Sequence, residues 1–179
     1  TPGPTHNGGK VVIGPDENVY ITIGDVLGYR NESSSSKVMN FKNGTFADGR
    51  SGVLRVTLDG NVVGSGIIGK SHPLNYYYAY GIRNSFGIAF DPITGNLWNT
   101  ENGPDYGDEI NLVEPGFNSG WIEVQGHWKP VYDEIRGGDF ISGNEIRANS
   151  EDIFENFGGK GKYSNPEFIW YNPVAPTGL

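Results

Sequence analysis

Residues 101–109 put four carboxylates (Glu101, Asp105, Asp108 and Glu109) around Asn102, Gly103, Pro104, Tyr106 and Gly107. Hard divalent cations such as Ca2+ take several oxygen ligands, backbone carbonyls among them, and glycine and proline help to present carbonyls. The spacing of the acids and the missing helical flanks exclude an EF-hand. Either a calcium loop or a solvated acidic loop fits this stretch, and the density of oxygen ligands favours calcium. Upstream, Arg83-Asn84 precedes an apolar run. A guanidinium offers a fixed fork of donors for a carboxylate or a developing oxyanion, and an amide both donates and accepts. A structural arginine that satisfies turn carbonyls fits equally well. Near the N-terminus, His6 lies among Thr5, Asn7, Gly8 and Gly9, small residues that can leave an imidazole uncovered. Such a histidine can take a proton from a substrate hydroxyl at neutral pH, although a surface histidine in a flexible tail has the same signature. His72 and His127 have no companions at metal-ligand spacing and read as ordinary polar positions. No serine triad, phosphate-binding glycine loop or dinucleotide fingerprint occurs in a strand-to-helix setting.

These residues need a scaffold, and the composition indicates which kind. With 28 glycines and 11 prolines among 179 residues, and only 36% hydrophobic residues, the chain suits many short strands joined by turns and leaves little room for long helices. An aromatic content of 13% argues against disorder. A formal net charge of −8 makes nucleic acid an unsuitable partner and is compatible with cations and neutral sugars. Cysteine is absent, which excludes disulfides and thiolate metal sites and leaves the compartment open. No run reaches the length of a membrane span and no signal peptide is visible. The start at Thr1-Pro2 and the abrupt end at Thr177-Gly178-Leu179 read as the ends of a cut chain.

Taken in order, Val11-Val12-Ile13, the turn at 14–18 and the run 19–23 predict a hairpin. Residues 27–49 read as a long polar loop. A second hairpin is expected from 52–58, the Asp59-Gly60 turn and Val62-Val63, and a third from 87–90, a turn at 91–96 and 97–100. Asn18, Gly60 and Asn96 hold similar places in these units, and hairpins recurring every ~40 residues are the signature of propeller blades. A short helix at 150–154, capped by Asn149 or Ser150, and a strand at 166–171 complete the prediction.

The motifs together resemble the soluble pyrroloquinoline-quinone-dependent sugar dehydrogenases, the glucose/sorbosone or aldose sugar dehydrogenase group. Three blocks carry the resemblance. They are His6-Asn7-Gly8-Gly9 leading into 11–25, Val53-Leu54-Arg55-Val56 with Asp59-Gly60, and the run 81–121. The run holds Arg83-Asn84, Gly87, Glu101, Gly103-Pro104, Asp108-Glu109-Ile110-Asn111, Asn118 and Gly120-Trp121. Trp170 and 175–179 look like the start of a further block. The resemblance implies an all-β fold, a six-bladed β-propeller, of which residues 1–179 form a partial domain truncated at both ends. A propeller of that size needs roughly 240 residues, so the chain does not close one alone and is expected to be inactive by itself. The basic residues that hold the quinone's carboxylates are expected after residue 179.

The resemblance further implies oxidation of the anomeric hydroxyl of aldose sugars to lactones, with hydride passing to the cofactor PQQ and on to an external electron acceptor, in a periplasmic or extracellular protein. His6 corresponds to the general base, and Arg83 and Asn84 to quinone contacts. The Gly103 and Pro104 carbonyls correspond to those that hold a catalytic Ca2+, and Glu109 and Ser119 to a second, structural calcium. Ile82, Ser85 and Phe86 stand where the family often has His, Pro and Gln, Ser119 where it often has Tyr, and Ile122 where it often has Pro. A non-catalytic propeller module and a calcium-dependent lactonase-type propeller are the alternatives. The pairing of His6 with Arg83-Asn84 favours the dehydrogenase, because a pure scaffold has no need of both.

Overall fold

The computed structural model describes residues 5–26, 46–104, 106–121, 124–127 and 154–179. Residues 27–45 of the expected 27–49 loop and residues 150–153 of the expected 150–154 helix lie outside them. Among the described residues, ten short strands form two sheets. In the first, β1 (Val11–Ile13), β2 (Val19–Ile23), β3 (Gly52–Val56) and β4 (Tyr77–Tyr80) follow one another antiparallel. β8 (Phe117–Asn118) then adds in parallel to β4, and β9 (Lys162–Tyr163) in parallel to β8. The second sheet has the order β10 (Phe168–Trp170), β7 (Asp108–Leu112), β6 (Leu97–Glu101) and β5 (Ser85–Phe90), all antiparallel. The only helical element among the described residues is one 3-10 turn, Leu74–Tyr76. None of the described helices is long and apolar enough to cross a membrane. The fold class is all-β, as expected.

The first and third hairpins form where turn chemistry demands. The Asp16 side chain accepts the Asn18 amide N–H and ties the 14–18 turn. Asp91 does the same at 91–96, accepting from the Ile93 N–H and the Thr94 hydroxyl. The second hairpin is weaker than expected. β3 stops at Val56, Leu58 is exposed, and the return strand is reduced to one bridge between Val56 and Val62. Strands β4, β7, β8 and β9 were not anticipated. Tyrosine-rich and acid-rich text carries no apolar alternation, so only pairing with neighbours defines these elements.

The core lies between the sheets. Tyr20, Val53, Ala79 and Phe117 from the first sheet meet Ile82, Ile88, Leu97 and Val113. Truncating a fully buried Ile such as Ile82 or Ile88 costs about 2–5 kcal/mol. β5 packs against β1 and β2, and the Thr22 hydroxyl donates to the Ser85 carbonyl at 3.0 Å between the sheets. The packing brings the start of β5, the end of β2 and the chain around residue 6 to one corner. Gly24 sits there with no room for a Cβ against the His6 and Arg83 carbonyls, so only glycine lets the three segments meet.

Candidate functional site

His6 is not in a loose tail. The Val26 N–H donates to its carbonyl, and the Gly9 N–H to the Thr22 carbonyl, which fixes the chain along β2. His6 adopts φ 55°, in the left-handed region, and its side chain is 17% exposed. Its Nδ1 lies 2.8 Å from Asp25 Oδ1. The other Asp25 oxygen accepts the Trp121 indole N–H at 2.9 Å. Asp25 is itself buried, so an N–H on Nδ1 is the donor it calls for. Nε2 then carries the free lone pair, which makes it the ring's proton acceptor.

Trp121 connects this pair to Arg83, whose guanidinium carbon stands 5.3 Å from the centre of the indole ring, within cation–π range. Arg83 Nη1 donates to the Asn102 carbonyl at 2.7 Å, and the Arg83 N–H to Glu101 Oε1 at 2.6 Å. The Arg83 carbonyl accepts the Asp25 N–H, and the Asn84 carbonyl the Asn102 N–H. Thus β6 and the loop after it are stitched to the segment preceding β5. The loop turns tightly at Gly103, where a Cβ would collide with the Tyr106 carbonyl. Among the described residues the Gly103 and Pro104 carbonyls accept no hydrogen bond, and Asn84 Oδ1 and Asn102 Oδ1 are buried without a partner. Unengaged hard oxygens of this kind suit a cation and a polar cofactor. These oxygens could hold a hard cation at the loop and a polar ligand against Asn84.

Three of the four acids, Glu101, Asp108 and Glu109, are not solvated. Glu101 ends β6, while Asp108 and Glu109 open β7, and all three are buried. Asp105 lies outside the described residues. Ser119 Oγ donates to Glu101 Oε2 at 2.6 Å and lies 3.3 Å from Glu109 Oε2. Glu109 Oε1 accepts the Gln125 amide at 2.9 Å and the Gly126 N–H at 2.5 Å, and its Oε2 accepts the Asn111 amide at 3.1 Å. Burial pushes the Glu101 carboxyl up to about 7, against the donors from Ser119 and Arg83. Burial, and then the charge of Glu101, raise Glu109 well above the ordinary glutamate range. With three N–H donors on it, from Gln125, Gly126 and Asn111, Glu109 fits a hydrogen-bonded carboxyl group. A cation there would have to displace the Gln125 or Asn111 amide. Among the described residues no cluster of three acidic or histidine side chains forms a metal-binding group.

The fold thus joins His6, Arg83 and the Gly103 loop in one connected network and puts Asn84 beside it. Glu109 and Ser119 form a second cluster, reached through Glu101. Sequence reasoning gave no role to Asp25, Trp121 or Gln125. Nothing local marks Asp25 as a carboxylate that meets a histidine 19 residues away. The departures at 82, 85 and 86 have simple places. Ile82 joins the core, the Ser85 hydroxyl donates to the Gly87 carbonyl, and Phe86 is 38% exposed.

With its two open sheets, the chain is part of a β-propeller, and its relatives identify the class. The model of the family described as "Glucose / Sorbosone dehydrogenase" matches residues 1–179. Quinoprotein glucose dehydrogenase B of Acinetobacter calcoaceticus is 37% identical over 135 residues, 68% of this chain and 27% of that protein. Aldose sugar dehydrogenase YliI of Escherichia coli is 30% identical over 179 residues, 97% of this chain and 40% of that protein. Among solved structures, the PQQ-bound aldose sugar dehydrogenase of Streptomyces coelicolor superposes with a TM-score of 0.58 at 27% identity, over 94% of this chain and 37% of that one. The apo-form of the soluble aldose sugar dehydrogenase from Escherichia coli gives a TM-score of 0.66 at 24% identity, over 99% and 44%, and supports the fold. The chain spans well under half the length of these relatives. It belongs to the glucose/sorbosone dehydrogenase family, a family of sugar-oxidising oxidoreductases.

Proposed function

We propose that this chain forms the substrate and calcium side of a PQQ- and Ca2+-dependent aldose dehydrogenase that oxidises the anomeric hydroxyl to a lactone. The observation that carries the reading is the His6–Asp25–Trp121–Arg83 connection, which ends at a loop with two unengaged carbonyls. When bound, PQQ supplies the hydride acceptor and calcium at the Gly103 and Pro104 carbonyls polarises it. His6 Nε2 takes the proton of the sugar's anomeric hydroxyl as the C1 hydride departs, so the sugar loses two electrons and two protons in all, one proton to His6 and the rest as hydride. Asp25 holds the ring in the tautomer that leaves Nε2 basic and stabilises the imidazolium formed. Arg83 and the Asn84 amide would hold the quinone by polar contacts and offer N–H donors toward its oxygens. Glu109 and Ser119 would serve a second, structural calcium in this family reading only where that ion displaces the Gln125 or Asn111 amide. The electrons would pass on to an external acceptor, in a periplasmic or extracellular setting.

The test reconstitutes the full-length protein with PQQ and Ca2+ and follows an artificial electron acceptor in the presence of aldoses. Reduction dependent on sugar, quinone and calcium is expected. No reduction with any aldose, despite confirmed quinone binding, overturns the dehydrogenase reading, and lactone hydrolysis without quinone favours a lactonase.

A further inference from the structure

Asp108 is buried at the start of β7 and faces away from the Glu109 cluster, as alternation along a strand requires. Its carboxyl group accepts three backbone N–H groups from two separate parts of the chain. Oδ1 accepts the Gly103 N–H at 2.8 Å, and Oδ2 accepts those of Val174 and Ala175, each at 2.7 Å. Residues 174–178 cross the β5–β6 hairpin, where the Thr100 hydroxyl donates to the Pro176 carbonyl at 3.4 Å and a Cβ on Gly87 would touch Gly178. Ala175 adopts φ 52°, a left-handed conformation that costs a non-glycine residue free energy and needs outside support.

One peptide group concentrates the effect. The Asn102 carbonyl is held by Arg83 Nη1, and the Gly103 N–H of the same planar unit is held by Asp108 Oδ1. A peptide gripped at both ends cannot rotate. Its orientation sets where the next carbonyl, that of Gly103, begins. We infer that Asp108 is a positioning residue that sets the affinity of the Gly103–Pro104 loop for a hard divalent cation, by locking the Asn102–Gly103 peptide and binding the loop to residues 174–175. This rests on the calcium reading of the loop given above, and it needs no particular sugar or quinone chemistry.

Asn is the sharp substitution because it is isosteric and offers one acceptor oxygen. If that oxygen keeps the Val174 and Ala175 N–H groups, the amide N–H2 faces the Gly103 N–H, donor against donor, and the loop peptide is released. In the full-length protein, stripped of metal, calcium titration calorimetry on Asp108→Asn is expected to show the tightest site weakened about 10- to 100-fold, the usual range for groups that support metal ligands. A purely structural role lowers the melting temperature of the calcium-free protein and leaves that Kd unchanged, and this outcome overturns the inference. Hydrogen exchange on the wild-type protein gives a second route if the variant does not fold. Calcium is expected to slow exchange of the Gly103, Val174 and Ala175 amides together. Exchange of the Gly103 amide at an open-loop rate with and without calcium overturns the inference. Absence of aldose oxidation, with calcium still bound and still weakened by Asp108→Asn, sinks the dehydrogenase reading and supports this inference. A wild-type protein that takes up no calcium overturns both.

Discussion

Two oxygen-rich regions adjoin in this chain and are built in opposite ways. Around 102–104 the oxygens are backbone carbonyls and asparagine side-chain oxygens, and several have no donor among the described residues. Around Glu109 the oxygens are carboxyl groups, and donors from Gln125, Gly126, Asn111 and Ser119 surround them. The acids draw attention in the sequence, yet the neutral carbonyls hold the capacity left over for a ligand. Formal charge therefore says less about cation binding than the count of acceptors left unengaged. In the first region substitutions should change chemistry and leave the fold, whereas in the second they should change stability and leave the chemistry.

The largest effect is expected at His6. His6→Ala in the full-length protein should lower turnover about 10²- to 10⁴-fold, the range for a lost general base, and change quinone affinity far less. Parallel losses in both would end the base assignment. Asp25→Asn should follow, with kcat down on the order of 10²-fold and little change in KM, because an amide no longer favours a proton on Nδ1. A pH–rate profile that keeps its wild-type shape and height would remove Asp25 from the mechanism.

In the second region Gln125→Ala leaves a Glu109 oxygen short of a donor and should cost about 1–3 kcal/mol in denaturant unfolding without calcium. The variant should recover more stability from added Ca2+ than the wild type does, since the vacated place suits a cation. Equal calcium effects in both would show that the amide does not stand in a cation's place. The smallest shift is expected from Asn84→Ala. Asn84 Oδ1 has no partner to lose, so unfolding stability should move by only about 0.5 kcal/mol, while quinone affinity falls measurably. A large loss of stability would mean that Asn84 belongs with the structural group.

Much of the architecture was legible in the residues. Gly14-Pro15, Asp16 and Asn18, and Asp91 with Gly95-Asn96, carry their turn chemistry locally, and the strands flanking them follow. The Leu54-to-Val63 unit was legible only in part. Its Asp59-Gly60 turn forms, with the Gly60 N–H donating to the Thr57 carbonyl, but the return strand has little apolar text and contributes one bridge. β7 was hidden because its acids suggested a loop. They read as strand only once Ile110 pairs with Thr100 and Phe168 on either side.

For the site, the sequence by itself determined the chemical types and their order along the chain: an imidazole, a guanidinium with an amide, and a glycine–proline turn among acids. Residue type is a local property, so one sequence suffices to read it. Which carboxyl group serves which partner was decided only by tertiary structure. Asp25 meets His6 and Trp121, Asp108 meets Gly103 and residues 174–175, and Glu109 meets Gln125. Each pairing closes across strands that are distant in sequence, and burial gives it weight. In the interior a carboxyl oxygen must find a donor, and only the packed sheets determine which donors are within reach.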